Sequence, residues 1–126
     1  MKPIILILEK HHKTRTSVSK WLTRVLPEYF FVVARNCKDA AAIVHSEPPD
    51  IVLIGIDLLL RDGLKDIIEI KSAASSAQIV VVASHDDEVY QTECPVEVSA
   101  YVLTEGLVSF LRRMLPAMAG SPILSA

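Results

Sequence analysis

Five short apolar runs, rich in β-branched and aromatic residues and separated by longer, helix-patterned stretches, constrain this chain more than any other feature. The first, Ile4-Ile5-Leu6-Ile7-Leu8, has no polar interruption. A strand with one wet face alternates polar and apolar residues, so a continuous run suits a strand covered on both faces. Similar runs recur at Tyr29-Phe30-Phe31-Val32-Val33, Ile51-Val52-Leu53-Ile54, Ile79-Val80-Val81-Val82 and, less purely, Ala100-Tyr101-Val102-Leu103.

Helical spacing fills the intervals. Val18, Leu22, Val25 and Leu26 form an apolar stripe that Pro27 ends, and Trp21 at the same spacing reads as packing. Asn36 is a good cap with Asp39 at its third helical position, and Ala40, Ala41 and Val44 line one face before Pro48-Pro49. Asp62 caps a third helix marked by Leu64, Ile67, Ile68 and Lys71, with Ser72 to Ala77 as its frayed end and loop. Ser84 opens a short fourth segment with an acidic first turn, His85-Asp86-Asp87-Glu88, which Pro95 stops by pushing Cys94 out of helical geometry. Leu107, Phe110, Leu111, Met114 and Leu115 mark a fifth helix.

Strands alternating with helix-length connections must lie parallel, with right-handed crossovers placing helices on both faces. The expected fold is therefore an α/β doubly wound five-stranded parallel sheet. A chain of 126 residues, 51% of them hydrophobic, fills one such core. The expected domain spans residues 1–119, and residues 120–126 are a tail or the start of a linker. Doubly wound sheets work at the carboxyl ends of their strands. The residues to inspect are thus Glu9-Lys10, Gly55 to Asp57, Ala83-Ser84 and Thr104.

Other functional classes find little support. A formal net charge of −2 gives no basic footprint for nucleic acid. Cys37 and Cys94 lack metal or redox spacing and read as reduced, partly buried thiols. The run after Met1 is too short for a signal peptide or membrane span, so the chain is expected in the cytoplasm. No Gly-rich phosphate loop follows the first strand. His11, His12, His45 and His85 lack ligand-like spacing, and Ser17, Ser84 and Ser99 lack a general base or nucleophile-elbow pattern.

The strand exits, in order, resemble those of CheY-like response-regulator receiver domains from Ile4 to about Met118. Leu6-Ile7-Leu8-Glu9-Lys10-His11 sits where that family has a strand ending in two acids. Asp50-Ile51-Val52-Leu53-Ile54-Gly55 resembles the strand ending in the phosphate-accepting aspartate, and Asp62-Gly63-Leu64 resembles the start of the third helix. Val80-Val81-Val82-Ala83-Ser84-His85 and Ala100-Tyr101-Val102-Leu103-Thr104 resemble the fourth and fifth strands, whose exits carry a hydroxyl and a lysine in the family. The resemblance implies a flavodoxin-like sheet of strand order 2-1-3-4-5 and a place in two-component or phosphorelay signalling. The first helix and second strand further resemble receivers that precede helix-turn-helix output domains.

Family chemistry moves a phosphoryl group from a histidine kinase to an aspartate, with a divalent cation offsetting the negative charge. Carried over by position, Glu9 alone survives. Lys10 replaces the second acid, Gly55 the acceptor, Ala83 the hydroxyl and Thr104 the lysine, so the pocket of Glu9, Lys10, Gly55, Asp57, Ala83 and Thr104 reads as vestigial. No catalysis and no cofactor are expected: Glu9 without a second acid is a weak metal candidate, and Mg2+ is not expected. Two readings of Lys10 stay open, an ammonium replacing the cation beside Glu9 or Asp57, and a side chain in solvent. Asp50 and Asp62 read as structural.

The expected function is a phosphorylation-independent pseudo-receiver that acts by binding a protein partner, with no contact to nucleic acid or membrane. Ser84, Pro95 and Tyr101 mark the switch and interaction face. Tyr101 matches an aromatic that moves inward on phosphorylation and is expected to hold one orientation or to answer to a partner. The face of the fourth helical segment, fifth strand and fifth helix is a possible homodimer surface. Two alternatives are an active phosphoacceptor relocated to Asp57 and the amino-terminal regulatory domain of a longer transcription factor.

Overall fold

The computed structural model describes residues 2–55, 65, 67–83 and 98–118. Five parallel strands form one sheet: β1 (Ile4–Leu8), β2 (Phe30–Ala34), β3 (Ile51–Gly55), β4 (Gln78–Ala83) and β5 (Ala100–Leu103), in the order β2-β1-β3-β4-β5. This is the doubly wound order that the resemblance implied. Each strand lies within about a residue of its apolar run. β3 gains Gly55 and β4 gains Gln78 and Ala83, because ladder pairing to a neighbour carries the strand past the end of the hydrophobic pattern.

Strand alternation divides the apolar side chains into two layers. Ile5, Ile7, Ile51, Leu53 and Val80 face one side, where α1 (His12–Val25) and the C-terminal helix (Leu107–Met118) cover them through Leu22, Leu26, Leu107 and Leu111. Leu6, Leu8, Val52, Ile54 and Ile79 face the other, under α2 (Cys37–Ser46) and the helical residues 67–73. Both faces being covered explains why the β1, β3 and β4 runs are unbroken, whereas in the edge strand β2 Phe30 and Val33 are exposed despite the apolar run. Each fully buried Leu or Ile contributes roughly 1.5–3 kcal/mol.

The first stripe is as expected, with Leu22 buried and Val18, Trp21 and Val25 packed against the same cluster. Asn36 caps α2 by accepting the Asp39 N–H at 2.9 Å. α2 buries Ala40 and Val44, with Cys37 and Ile43 beside them, whereas Ala41 is only partly covered. The third helix departs further from its expected stripe. Among its described residues Ile67, Ile70 and Ala74 are buried and Ile68 is 46% exposed, while Leu64 lies outside the described residues. Its end is not frayed: the Ala74 N–H donates to Ile70 O and the Ala77 N–H to Ala74 O, and both alanines are buried. Lys71 Nζ closes this turn on the Ala77 carbonyl at 2.6 Å. Small side chains here admit close approach to the sheet. Among the described residues no helix is long and apolar enough to cross a membrane.

Candidate functional site

Strand parity decides what meets at the carboxyl ends. β1 and β3 pair in register, Leu8 opposite Ile54, so Glu9 and Gly55 follow as neighbours just beyond. The alternation that turns Ile5, Ile7, Ile51 and Leu53 toward α1 continues to both positions. Gly55 has no side chain to project there, and the Glu9 carboxylate fills the direction. A Cβ built on Gly55 would lie 2.8 Å from Glu9 Oε1, closer than real Cβ contacts come.

The turn from β1 to α1 holds this arrangement. Glu9 Oε2 accepts the His11 N–H at 2.9 Å. The Glu9 N–H donates to Ala34 O at 3.1 Å, which extends the β1–β2 ladder by one residue. Arg15, one turn into α1, folds back and donates from Nη1 to the carbonyls of Glu9 (3.0 Å) and Lys10 (3.3 Å). Its Nη2 lies 3.1 Å from His12 Nδ1. The guanidinium therefore serves backbone oxygens and a ring nitrogen, not the Glu9 carboxylate. Lys10 is exposed and makes no ion pair with Glu9, which favours the solvent reading over that pairing, and Asp57 lies outside the described residues. The backbone turn points its side chain outward, and an exposed pair would offset little of the ordering cost.

Beneath Glu9 and Gly55 lies a cavity of about 270 Å3 between the sheet, α1 and the C-terminal helix. Its walls are apolar, with Ile7, Val18, Trp21, Leu53 and Leu107 prominent, and Glu9, His11, Thr14 and Thr104 supply its polar groups. Glu9 is the one carboxylate among the described lining residues.

At the exits of β4 and β5, Ala83 is buried and brings no hydroxyl. Thr104 starts a 3-10 turn (Thr104–Gly106) leading into the C-terminal helix, and its Oγ1 donates to Ala83 O at 3.2 Å. Tyr101 is half-buried, and its hydroxyl oxygen is shielded from solvent. Away from this end, Asp50 fastens the sheet: its Oδ2 accepts the Ile4 N–H at 2.8 Å. Asp57, Asp62, Ser84, His85, Cys94, Pro95 and the tail from residue 120 lie outside the described residues. Among the described residues no three His, Cys, Asp or Glu side chains group into a metal site.

A family model described as the response regulator receiver domain matches residues 5–103. The chain belongs to this family. Solved structures agree on the receiver fold. A two-component response regulator of the LuxR family from an Aurantimonas species is 20% identical, covers 93% of this chain and 87% of its own, and has a TM-score of 0.77. The chemotaxis protein CheY4 of Vibrio cholerae is 16% identical over 91% of this chain and all (100%) of its own, with a TM-score of 0.75. A receiver-modulated diguanylate cyclase from Pelobacter carbinolicus is 17% identical over 93% of this chain and 95% of its own, with a TM-score of 0.72. A search of curated protein sequences found no significant match.

In this receiver the structure brings Glu9, Gly55 and Thr104 to one cavity, with Ala83 held to Thr104, while Lys10 turns away. Reading the sequence residue by residue missed the approach of Glu9 to Gly55. The signal was present in strand parity combined with strand order, which place the two residues side by side on one face. The cavity and the Arg15 clamp depend on how α1 packs, and no local pattern announces them.

Proposed function

We propose that this receiver signals by docking to a protein partner without accepting a phosphoryl group. The observation that carries the reading is the Glu9 carboxylate standing 2.8 Å from where a side chain at position 55 would begin. By the family resemblance that is the acceptor's position, and glycine brings no nucleophile to it.

Phosphoryl transfer depends on positioning and on charge neutralisation more than on covalent participation by the protein. Here each supporting element is altered. Ala83 carries no hydroxyl, Thr104 gives its hydroxyl to a backbone carbonyl, and Lys10 points to solvent. A phosphoryl group at this mouth would also face the negative charge of Glu9, while the Arg15 guanidinium is held on the Glu9 and Lys10 carbonyls. The partner is recognised by surface shape and local chemistry, and the face that includes β5 and the C-terminal helix is a candidate for that contact or for a homodimer.

Incubation of the chain with acetyl phosphate and Mg2+, followed by intact-mass analysis, tests the reading. The expected product is unmodified protein. Stoichiometric phosphorylation of an aspartate would overturn it, and loss of that label in Asp57→Asn would assign the relocated acceptor.

A further inference from the structure

The cavity under Glu9 has a chemistry of its own. Two kinds of surface meet there: an apolar interior of Ile7, Val18, Trp21, Leu53 and Leu107, and a half-buried carboxylate at the end of β1. One oxygen of that carboxylate takes the His11 N–H at 2.9 Å, and the other faces glycine backbone. Among the described residues the cations of this turn are placed elsewhere, Arg15 on the Glu9 and Lys10 carbonyls and Lys10 exposed. A half-buried carboxylate gains most from a charged donor that brings hydrogen bonds and counter-charge together.

We propose that this cavity binds a small amphipathic amine, its ammonium on the Glu9 carboxylate and its hydrocarbon or aryl body against Val18, Trp21 and Leu107. Size agrees with this class. A cavity of about 150 Å3 holds benzene, so 270 Å3 accommodates an arylalkylamine. Thr14 and Thr104 add hydroxyl groups to the lining, and an ammonium has donors to spare. Trp21 supplies an aromatic wall, which favours a cation or an aryl group alike. The inference rests on the reading above in one respect: a mouth that no longer takes a phosphoryl group is left with a carboxylate suited to a cation. Ligand occupancy would then bias the domain in place of phosphorylation.

Trp21 is the single tryptophan of the chain, so its emission reports on the cavity directly. The experiment titrates the full chain with phenethylamine, 2-phenylethanol and phenylacetate at neutral pH while following Trp21 fluorescence and the melting temperature. Phenethylamine should shift the emission saturably and raise the melting temperature. The alcohol should bind about tenfold or more weakly, as expected when a charge-assisted hydrogen bond is replaced by a neutral one, and the acid should not bind. The isosteric Glu9→Gln should remove the preference for amine over alcohol. Equal binding of amine and alcohol, an unchanged preference in Glu9→Gln, or no response to phenethylamine at its solubility limit would each overturn the proposal. Should Glu9→Gln fail to fold, the amine and alcohol comparison on the parent chain decides alone. These outcomes are independent of acetyl phosphate labelling, so an inert cavity and an active phosphoacceptor are told apart.

Discussion

The two ends of the sheet each place a carboxylate beside β1, and the two are used in opposite ways. At the amino end, Asp50 is absorbed into the ladder. Its Oδ2 accepts the Ile4 N–H at 2.8 Å, its own N–H donates to Ile4 O at 2.8 Å, and its carbonyl accepts the Gln78 N–H at 2.9 Å. Three strands are joined through one residue. At the carboxyl end the Glu9 backbone is also bonded, its N–H to Ala34 O and its carbonyl to Arg15, but among the described residues its carboxylate takes only the His11 N–H of its own turn and otherwise leans over a glycine. The lesson is that an acid at a strand end is structural or available according to the backbone donors its parity and register bring within reach.

Removing Asp50 should have the largest effect. Asp50→Ala leaves the Ile4 N–H without its charged acceptor and should cost about 1.5–3 kcal/mol in urea unfolding. A loss as small as that of Glu9→Ala would erase the contrast between the two ends. Next comes Gly55→Asp, which sets a second carboxylate against Glu9. It should destabilise the chain by roughly 1–2 kcal/mol at neutral pH, because like charges at contact oppose each other. Adding Glu9→Gln should recover most of that loss, and additivity of the two substitutions would show that the side chains do not meet.

A smaller effect marks the part of the carboxyl end that is fastened. Asn36→Ala removes the cap of α2 and should cost about 1 kcal/mol, measurable as a lower denaturation midpoint. Smallest of all is the exposed Arg35–Asp39 pair, 2.9 Å apart. The hydrogen bond from Arg35 holds the Asp39 carboxyl below its usual range. Its contribution is therefore present at neutral pH and is lost as pH falls through that lowered value. Carboxyl NMR titration should find Asp39 returned upward in Arg35→Met, with little change in melting temperature.

Much of this contrast was legible before any coordinates. Unbroken runs such as Ile51-Val52-Leu53-Ile54 gave away strands covered on both faces, and Asn36 with Asp39 gave away a helix start. Gly55 at the third strand exit was visible in the same way. The third helix was misjudged because Ile68 looks like core, yet periodicity alone does not say which of two adjacent isoleucines faces the sheet; Ile70 and Ala74 take that place. Ala77 reads as loop from composition but is buried where the chain returns to β4. The Glu9 approach to Gly55 needed strand order as well as pattern, and the Thr104 bond to Ala83 needed the 3-10 turn that precedes the C-terminal helix.

Beryllium trifluoride, which forms a phosphoryl analogue on an aspartate carboxylate supported by Mg2+, probes the proposed absence of an acceptor at Gly55 most directly. An amide NMR titration of the full chain should leave the Glu9, Gly55 and Thr104 signals unmoved at saturating reagent. Saturable, Mg2+-dependent shifts of those three signals would contradict the account.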